Sequence, residues 1–212
     1  YSILEQHADA YRKIRNTFRY ILGNLNDEFL HTDFEEVNYD DLSELDQLIL
    51  HKIYLLNESF HKNFKFYNFH LLYKDLLNFC TVDLSSFYFD IRKDCLYCDD
   101  LKSKRRLNCL KILNVVLECL LKWFAPILSF TTEEIFNLIN KKENTSIHLE
   151  KFVSIPNYWK NETLAKKWEE ILKVRELANS SIELKRADKL IGSSLEAQIT
   201  IELNDEKYKL LK

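Results

Sequence analysis

Three arginines recur at helical spacing in the segment YRKIRNTFRYILGNL, near the start of the chain. Residues three and four apart lie on one face of a helix, so Arg12, Arg15 and Arg19 share a face. Lys13 lies about 100° around the helix from Arg12. Asp9 is the one acid placed to pair with these arginines inside the same helix. Like charges at this spacing repel by about 0.2–0.5 kcal/mol per pair, so the row favours the binding of a polyanion such as a phosphate backbone.

Two further basic groups lie on helices predicted later in the chain. In the first, Lys104, Lys111 and Lys122 share one helix face, and Arg105 and Arg106 follow directly after Lys104. Cations at a helix start oppose the helix macrodipole, so this crowding does not stabilise the helix itself. The second group lies near the end of the last helix. The residues that we expect to bind a polyanion such as a phosphate backbone, over all three groups, are Arg12, Lys13, Arg15, Arg19, Lys104, Arg105, Arg106, Lys111, Lys122, Lys185 and Arg186.

Polar and aromatic side chains near these groups could complete an RNA-binding surface. Asn16 and Asn108 lie beside the cations, where amide groups can position a phosphate backbone. Most aromatic residues fall on apolar stripes and are expected in the core. Tyr20, Tyr158 and Trp159 are the ones that we expect to be exposed, where their rings could stack on unpaired bases.

The formal net charge of −3 hides an uneven distribution of charge. Residues 26–60 carry ten acids and one lysine, whereas residues 101–125 carry six bases and one acid. Such segregation is typical of a surface that meets a polyanion over part of its area. It is equally compatible with a helical protein-interaction bundle, in which the basic faces pair with acids of the same chain. The residues alone leave both interpretations open.

No group of residues has the spacing of a catalytic site. The glycine-rich phosphate loops and the G-x-S-x-G motif are absent from the sequence. Cys95 and Cys98 form a lone C-x-x-C, and a zinc site needs a second pair, so we interpret them as ordinary cysteines at a helix end. Asp83 and Asp90 could act together as acid and base, but such acids are more often paired with a base on another helix. We therefore expect no catalytic residue, no metal and no cofactor in this chain.

The composition predicts that long helices position these residues. The chain has two glycines and two prolines, where average usage would give about 15 and 10, so tight turns are few. Apolar residues repeat at helical spacing in five long stretches, and Thr131 with Glu134 forms a capping box that opens a short extra helix. The five stretches are approximately 2–25, 43–64, 68–94, 103–124 and 163–189. The predicted fold class is an all-α bundle of about five long helices over residues 1–190.

The pattern changes after residue 190. Apolar and polar residues alternate in the segment AQITIEL, which predicts a short β-strand, and Asn204-Asp205 would turn the chain back into EKYKLL. We interpret residues 191–212 as the truncated start of a C-terminal α/β domain. The chain begins with Tyr1 and has no methionine, so we expect it to be a piece of a longer protein. It has no run of eighteen apolar residues, and no membrane span is predicted.

Four motifs, in this order, resemble the C-terminal half of the bacterial-type isoleucyl-tRNA synthetases, which are class I aminoacyl-tRNA synthetases. They are YRKIRNTFRYILGNL, FCTVDLSSFYFDIRKDCLYC, LKWFAPILSFTTEEIF and IGSSLEAQITIEL, and a W-x-x-I-L-x-V-R helix from Trp168 to Arg175 precedes the last of them. The resemblance covers nearly the whole chain. Valyl and leucyl enzymes share the general helix bundle, and the string VDLSSFYFDIRKD favours the isoleucine type.

The resemblance implies a function that spacing alone does not. This region would be the helical domain that binds the anticodon stem and loop of tRNA(Ile), and the parent protein would be an isoleucine–tRNA ligase. The parent would use ATP with Mg²⁺ on a catalytic core that carries HIGH and KMSKS motifs, neither of which occurs here. The implied partners are tRNA(Ile) and the catalytic and editing domains of the same chain, in a cytoplasmic monomer without membrane contact. The resemblance does not identify the anticodon-reading residues.

Overall fold

The computed structural model of the chain describes residues 2–25, 29, 30, 34, 37–140, 145–204, 207 and 208. Contacts divide the chain into two compact units, Tyr1–Lys160 and Asn161–Lys212. Helix accounts for 77% of the structure. None of the helices in the described part of the chain is long and apolar enough to cross a membrane.

The N-terminal unit consists mainly of helices. Its separate helices are α1 (Ser2–Asn24), α2 (Glu44–Lys65), α5 (Lys104–Phe124) and α6 (Ser129–Ile139). Between α2 and α5 one continuous rod comprises α3 (Phe69–Asn78), a π-helix (Phe79–Tyr88) and α4 (Phe89–Cys98). Short 3-10 turns lie at Tyr39–Asp41, Ile147–Leu149 and Asn157–Trp159.

Helix α5 lies at the centre of this unit. It packs against α1, α2, α3, α4 and α6. Its fully buried side chains include Ile112, Leu113, Val116, Leu120 and Trp123. Each large apolar side chain removed from water contributes about 1.5–3 kcal/mol, so α5 supplies a large share of the hydrophobic stabilisation that fixes the other helices around it.

The π-helix changes which residues of the rod face the core. The Ser85 hydroxyl donates to the carbonyl of Cys80, five residues earlier, at 2.7 Å. Each π turn holds more residues than an α turn, so the buried face shifts along the sequence beyond it. Ile91, which the apolar periodicity placed on the buried stripe, is exposed, and its neighbour Arg92 is buried instead.

The all-α class is confirmed, with six helices rather than about five when the rod from α3 to α4 counts as one. The five predicted long stretches correspond to α1, α2, the rod, α5 and the helix Glu162–Ala187 of the C-terminal unit. The predicted capping box is wrong in detail, because α6 begins at Ser129 and so contains Thr131 and Glu134. Both side chains face α1 instead of capping the helix.

The C-terminal unit contains α7 (Glu162–Ala187) and a 3-10 turn at Ser194–Glu196. The predicted β-strand is wrong: residues 197–204 form no ladder with any other described segment, and alternation alone cannot make a strand without a partner for its backbone groups. The Asn204 side chain accepts a hydrogen bond from the Lys207 amide at 2.9 Å, which is a helix cap and not a hairpin turn. The rest of EKYKLL lies outside the described residues, and the predicted boundary at residue 190 stays a prediction.

Candidate nucleic-acid interface

Helix α1 carries its predicted cations on the side away from the core. Ile14, Phe18 and Ile21 are buried, which fixes the orientation of the helix. Arg12 is exposed and its Nη1 pairs with Asp9 Oδ1 at 2.9 Å, within the same helix. Because both partners remain on the surface, this pair does not remove the guanidinium from solvent.

Arg15 holds α1 against α6. Its Nη1 and Nη2 donate to the two carboxylate oxygens of Glu134 at 2.8 and 2.9 Å, which is a bidentate pair. These bonds lower the pKa of Glu134 and raise that of Arg15. Arg15 also donates to the Tyr11 hydroxyl, which shares a 2.9 Å hydrogen bond with Thr131, and that bond is the main reason that the pKa of Tyr11 is lowered. Arg15 therefore has an internal partner 119 residues away.

Lys13 and Arg19 are exposed and form no ion pair with any residue that the structure describes. Asn16, also exposed, lies between them around the helix. These three side chains form the part of α1 that can accept an external anion without breaking a bond inside the protein. We call Lys13, Asn16 and Arg19 the α1 face.

The basic group on α5 is largely engaged within the protein. Lys104 Nζ lies 2.6 Å from Asp41 Oδ1, and Asn108 donates to the Asp41 carbonyl at 3.0 Å. The hydrogen bond from Lys104 is the main reason that the pKa of Asp41 is lowered. Arg105 lies 3.7 Å from Asp99. The start of α5 thus anchors the acidic segment around residue 41, as the internal-pairing interpretation expects.

The remaining α5 cations are less exposed than the α1 face. Lys122 pairs with Glu118 of the same helix at 2.7 Å, so it has an acidic partner within α5. Arg106 and Lys111 are half-buried and form no ion pair within the described residues.

In the C-terminal unit the predicted cations lie at the end of α7. Arg186 pairs with Glu183 of the same helix at 2.7 Å, and Lys185 is exposed without an ion pair among the described residues. Cations in the last turn also interact favourably with the helix macrodipole, so their position has a structural explanation.

The three aromatic residues expected at the surface differ in exposure. Tyr158 is exposed and meets Tyr39 edge to face, with ring centroids 6.0 Å apart. Tyr20 is half-buried and stacks on Phe89 at 4.3 Å, and burial raises the pKa of its hydroxyl. Trp159 is fully buried, so the expectation for it is wrong.

The structure forms neither a catalytic pair from Asp83 and Asp90 nor a metal site among the residues it describes. Asp83 pairs with Lys52 of α2 at 2.6 Å, whereas Asp90 pairs with Lys93 of its own helix at 3.0 Å. The two acids thus have different bases and do not form an acid–base pair. The described residues contain no group of three or more histidine, cysteine or acidic side chains that could hold a metal ion.

The structure also reveals exposed residues that the sequence reasoning missed, at the turn between α2 and α3. Lys62, Lys65, Phe66 and Tyr67 are all exposed there. The signal that could have found them is a run of charge of one sign, because the sequence from Ser59 to Lys74 contains no acid.

Comparisons of the sequence with a family model and with known proteins both identify tRNA ligases. The family described as "Anticodon-binding domain of tRNA ligase" matches residues 46–201. "Isoleucine--tRNA ligase" of Pelagibacter ubique is 61% identical over 212 residues, which is 100% of this chain and 23% of that protein. The proteins of the same name from Mesorhizobium japonicum and Bartonella henselae are 42% and 44% identical over 204 and 195 residues.

The latter two matches include 96% and 92% of this chain, and 20% of the length of each relative. It therefore spans less than a quarter of the length of these relatives. Their names favour neither a protein-interaction bundle nor a valine- or leucine-type enzyme.

Proposed function

The chain belongs to the family of the anticodon-binding domain of tRNA ligases, and on this premise we propose that it binds the anticodon arm of tRNA(Ile) through the α1 face. In a longer parent protein it would orient the tRNA while a separate catalytic core, using ATP with Mg²⁺, joins isoleucine to the distant acceptor end. Small errors in positioning matter for such a reaction, because a misplacement of about 1 Å can cost roughly 100-fold in rate.

The observation that carries this proposal is the pair of exposed cations, Lys13 and Arg19, without internal partners among the described residues. Phosphate contacts need cations that are free to exchange their counterions for RNA, and polar side chains that fix the register. The α1 face supplies both, on a helix that four buried residues and the Arg15–Glu134 pair hold in place.

The remaining parts of the proposal rest on the resemblance of the sequence to the isoleucyl-tRNA synthetases. Catalysis and editing would be carried out by other domains of the parent, which would act as a cytoplasmic monomer. Residues 191–212 would begin a further domain. The cations of α5 and α7 that have partners would contribute to RNA binding through their field and not through direct phosphate contact.

The test is the binding of tRNA(Ile) to the 212-residue chain, measured by fluorescence anisotropy over a range of salt concentrations. Lys13→Glu with Arg19→Glu should weaken binding and reduce the slope of log K against log salt by about 2, since two phosphate contacts are removed. Both side chains are exposed, so the melting temperature should hardly change.

Lys166→Glu with Lys173→Glu is the matched control, because it makes the same change in net charge on α7 at positions outside the predicted set. It should leave the slope near the wild-type value. Equal losses in both double variants would attribute binding to net charge alone. An unrelated tRNA that binds as tightly as tRNA(Ile) would contradict the specificity of the proposal.

A further inference from the structure

Helix α2 ends in a backbone arrangement that normally selects glycine. The Asn68 amide donates to the Asn63 carbonyl at 2.9 Å and the Tyr67 amide to the Phe64 carbonyl at 3.1 Å, which together form a Schellman motif. Tyr67 occupies its left-handed position, with φ of 55°. A side chain is strained there, and glycine is the usual choice. The Tyr67 side chain is 78% exposed, so burial does not compensate for this strain.

The exposed ring of Tyr67 contacts a cluster of other aromatic residues. Tyr67 lies 6.3 Å from Phe69, measured between ring centroids, and Phe69 meets Phe64 edge to face at 6.0 Å. Phe64 in turn meets Phe152 edge to face at 5.0 Å. Phe66, next to Tyr67, is 64% exposed. The turn thus presents two adjacent rings to solvent above a packed aromatic cluster.

The same turn is surrounded by cations. Lys62, Lys65 and Lys74 are exposed and form no ion pair with a described residue. His70 is exposed between them in the sequence. Since no acid occurs from residue 59 to residue 74, the local charge is positive and unopposed within the turn.

We propose that the α2–α3 turn binds unpaired RNA nucleotides, with a base stacked on Tyr67 or Phe66 and the flanking phosphates beside Lys62 and Lys65. Exposed aromatic rings set among lysines are the arrangement by which proteins hold single-stranded nucleic acid. The identity of the polyanion as RNA rests on the proposed function, whereas the place of contact is new.

This contact is separate from the α1 face. Thr17 of α1 meets Ser85 of the rod, with hydroxyl oxygens 3.5 Å apart. Ser85 lies sixteen residues beyond Phe69, which begins α3, so the turn is roughly 20 Å along the rod from that point. A tRNA that touches both places would span much of the length of the bundle, and each contact can be removed without the other.

The test uses a fluorescein-labelled uridine heptamer and the 212-residue chain, at low salt, with anisotropy as the readout. Tyr67→Gly should weaken binding about 5- to 100-fold, as expected for the loss of one stacked base. The same change should raise the melting temperature by about 2–4 °C, because glycine relieves the left-handed strain. Tyr67→Phe keeps the ring and should bind as wild type.

Phe130→Ala is the matched control, since Phe130 is an exposed ring followed closely by Glu133 and Glu134. It should leave heptamer binding unchanged. Lys62→Glu with Lys65→Glu should weaken binding in the same direction as Tyr67→Gly.

Three results would overturn the inference: heptamer binding that Tyr67→Gly leaves unchanged, no heptamer binding at all, or binding to phosphatidylserine vesicles in place of the heptamer. The proposed function fails separately. If Lys13→Glu with Arg19→Glu leaves tRNA binding intact while Tyr67→Gly lowers heptamer binding, the turn is supported and the α1 face is not.

Discussion

Arg92 carries a charge into the interior of the N-terminal unit. Its side chain is 7% exposed and its Nη2 lies 2.6 Å from Oδ2 of Asp46, which is 2% exposed. Tyr88 donates its hydroxyl to the other carboxylate oxygen at 2.7 Å, and Arg92 also donates to Ser43, the N-cap of α2. Burial lowers the pKa of Arg92 and is the largest single effect, but the attraction and hydrogen bond of Asp46, together with Tyr88 and Cys109, outweigh it, so the net shift is upward. The pair fixes the start of α2 against the rod.

Arg92→Met should therefore destabilise the chain by about 3–5 kcal/mol, because it leaves the Asp46 carboxylate buried without its counter-charge. The measurement is urea unfolding followed by circular dichroism. Lys93→Met is the control: it removes the exposed pair with Asp90, and its effect should be much smaller, because surface ion pairs contribute little to stability. If both variants lose a similar free energy of unfolding, burial of the ion pair is not what makes Arg92 important for stability. Replacing Asp46 by Leu as well should recover much of the loss.

Residue types could be predicted from the sequence at this scale, but their partners could not. The row of Arg12, Arg15 and Arg19 is visible in the sequence, and the structure places all three on the exposed side of α1. The partner of Arg15 is Glu134, which only the packing of α6 on α1 brings within reach. No local pattern distinguishes Arg15 from Arg19, so which arginine stays available for RNA depends on tertiary structure.

At the scale of elements, the helices follow from apolar periodicity, and the errors have definable causes. The strand expected near residue 200 lacks a partner within the described residues, and a ladder cannot be predicted from one alternating segment. A prediction that assumes 3.6 residues per turn cannot detect the π-helix, because a π-helix has more residues per turn. That is why the apolar periodicity places Ile91 inside, whereas the structure exposes Ile91 and buries its neighbour Arg92.

The shift in register can be tested by charge insertion on the rod. Ile91→Lys should change the free energy of unfolding by no more than about 0.5–1 kcal/mol, because the side chain already reaches solvent. Leu84→Lys, on the fully buried face of the π-helix, should prevent cooperative folding, since an unpaired charge cannot be accommodated there. Thermal unfolding of both variants decides the point. If Ile91→Lys unfolds the protein, a regular α-helical register describes the rod better.

For the whole molecule, the apolar core is distributed very unevenly between the two units. Among the described residues, every buried apolar side chain except Leu164 belongs to Tyr1–Lys160. Hydrophobic burial scales with the apolar area removed from water, so the N-terminal unit holds nearly all of this stabilisation. The sequence indicated a large helical domain, but its composition does not show that α7 contributes so little to the core.

A chain of residues 1–160 should consequently unfold in one cooperative thermal transition, within a few degrees of the full chain. Residues 161–212 alone should show no such transition, because a single buried leucine cannot offset the loss of conformational entropy. Circular dichroism melts of the two pieces provide the measurement. The shorter chain should also retain the salt slope of tRNA binding if the α1 face carries it. A cooperative melt of residues 161–212 would contradict this account of the core.

The five cysteines differ in exposure, and this difference determines where the chain can be labelled. Cys80, Cys95, Cys109 and Cys119 are buried, and burial raises the pKa of each thiol, to about 12 for Cys80 and Cys109. Cys98 alone of the five is exposed, at the last residue of α4. Thiolates react and buried thiols do not. A maleimide dye would therefore attach at one defined point of the unaltered chain, ready to report distances to a labelled tRNA.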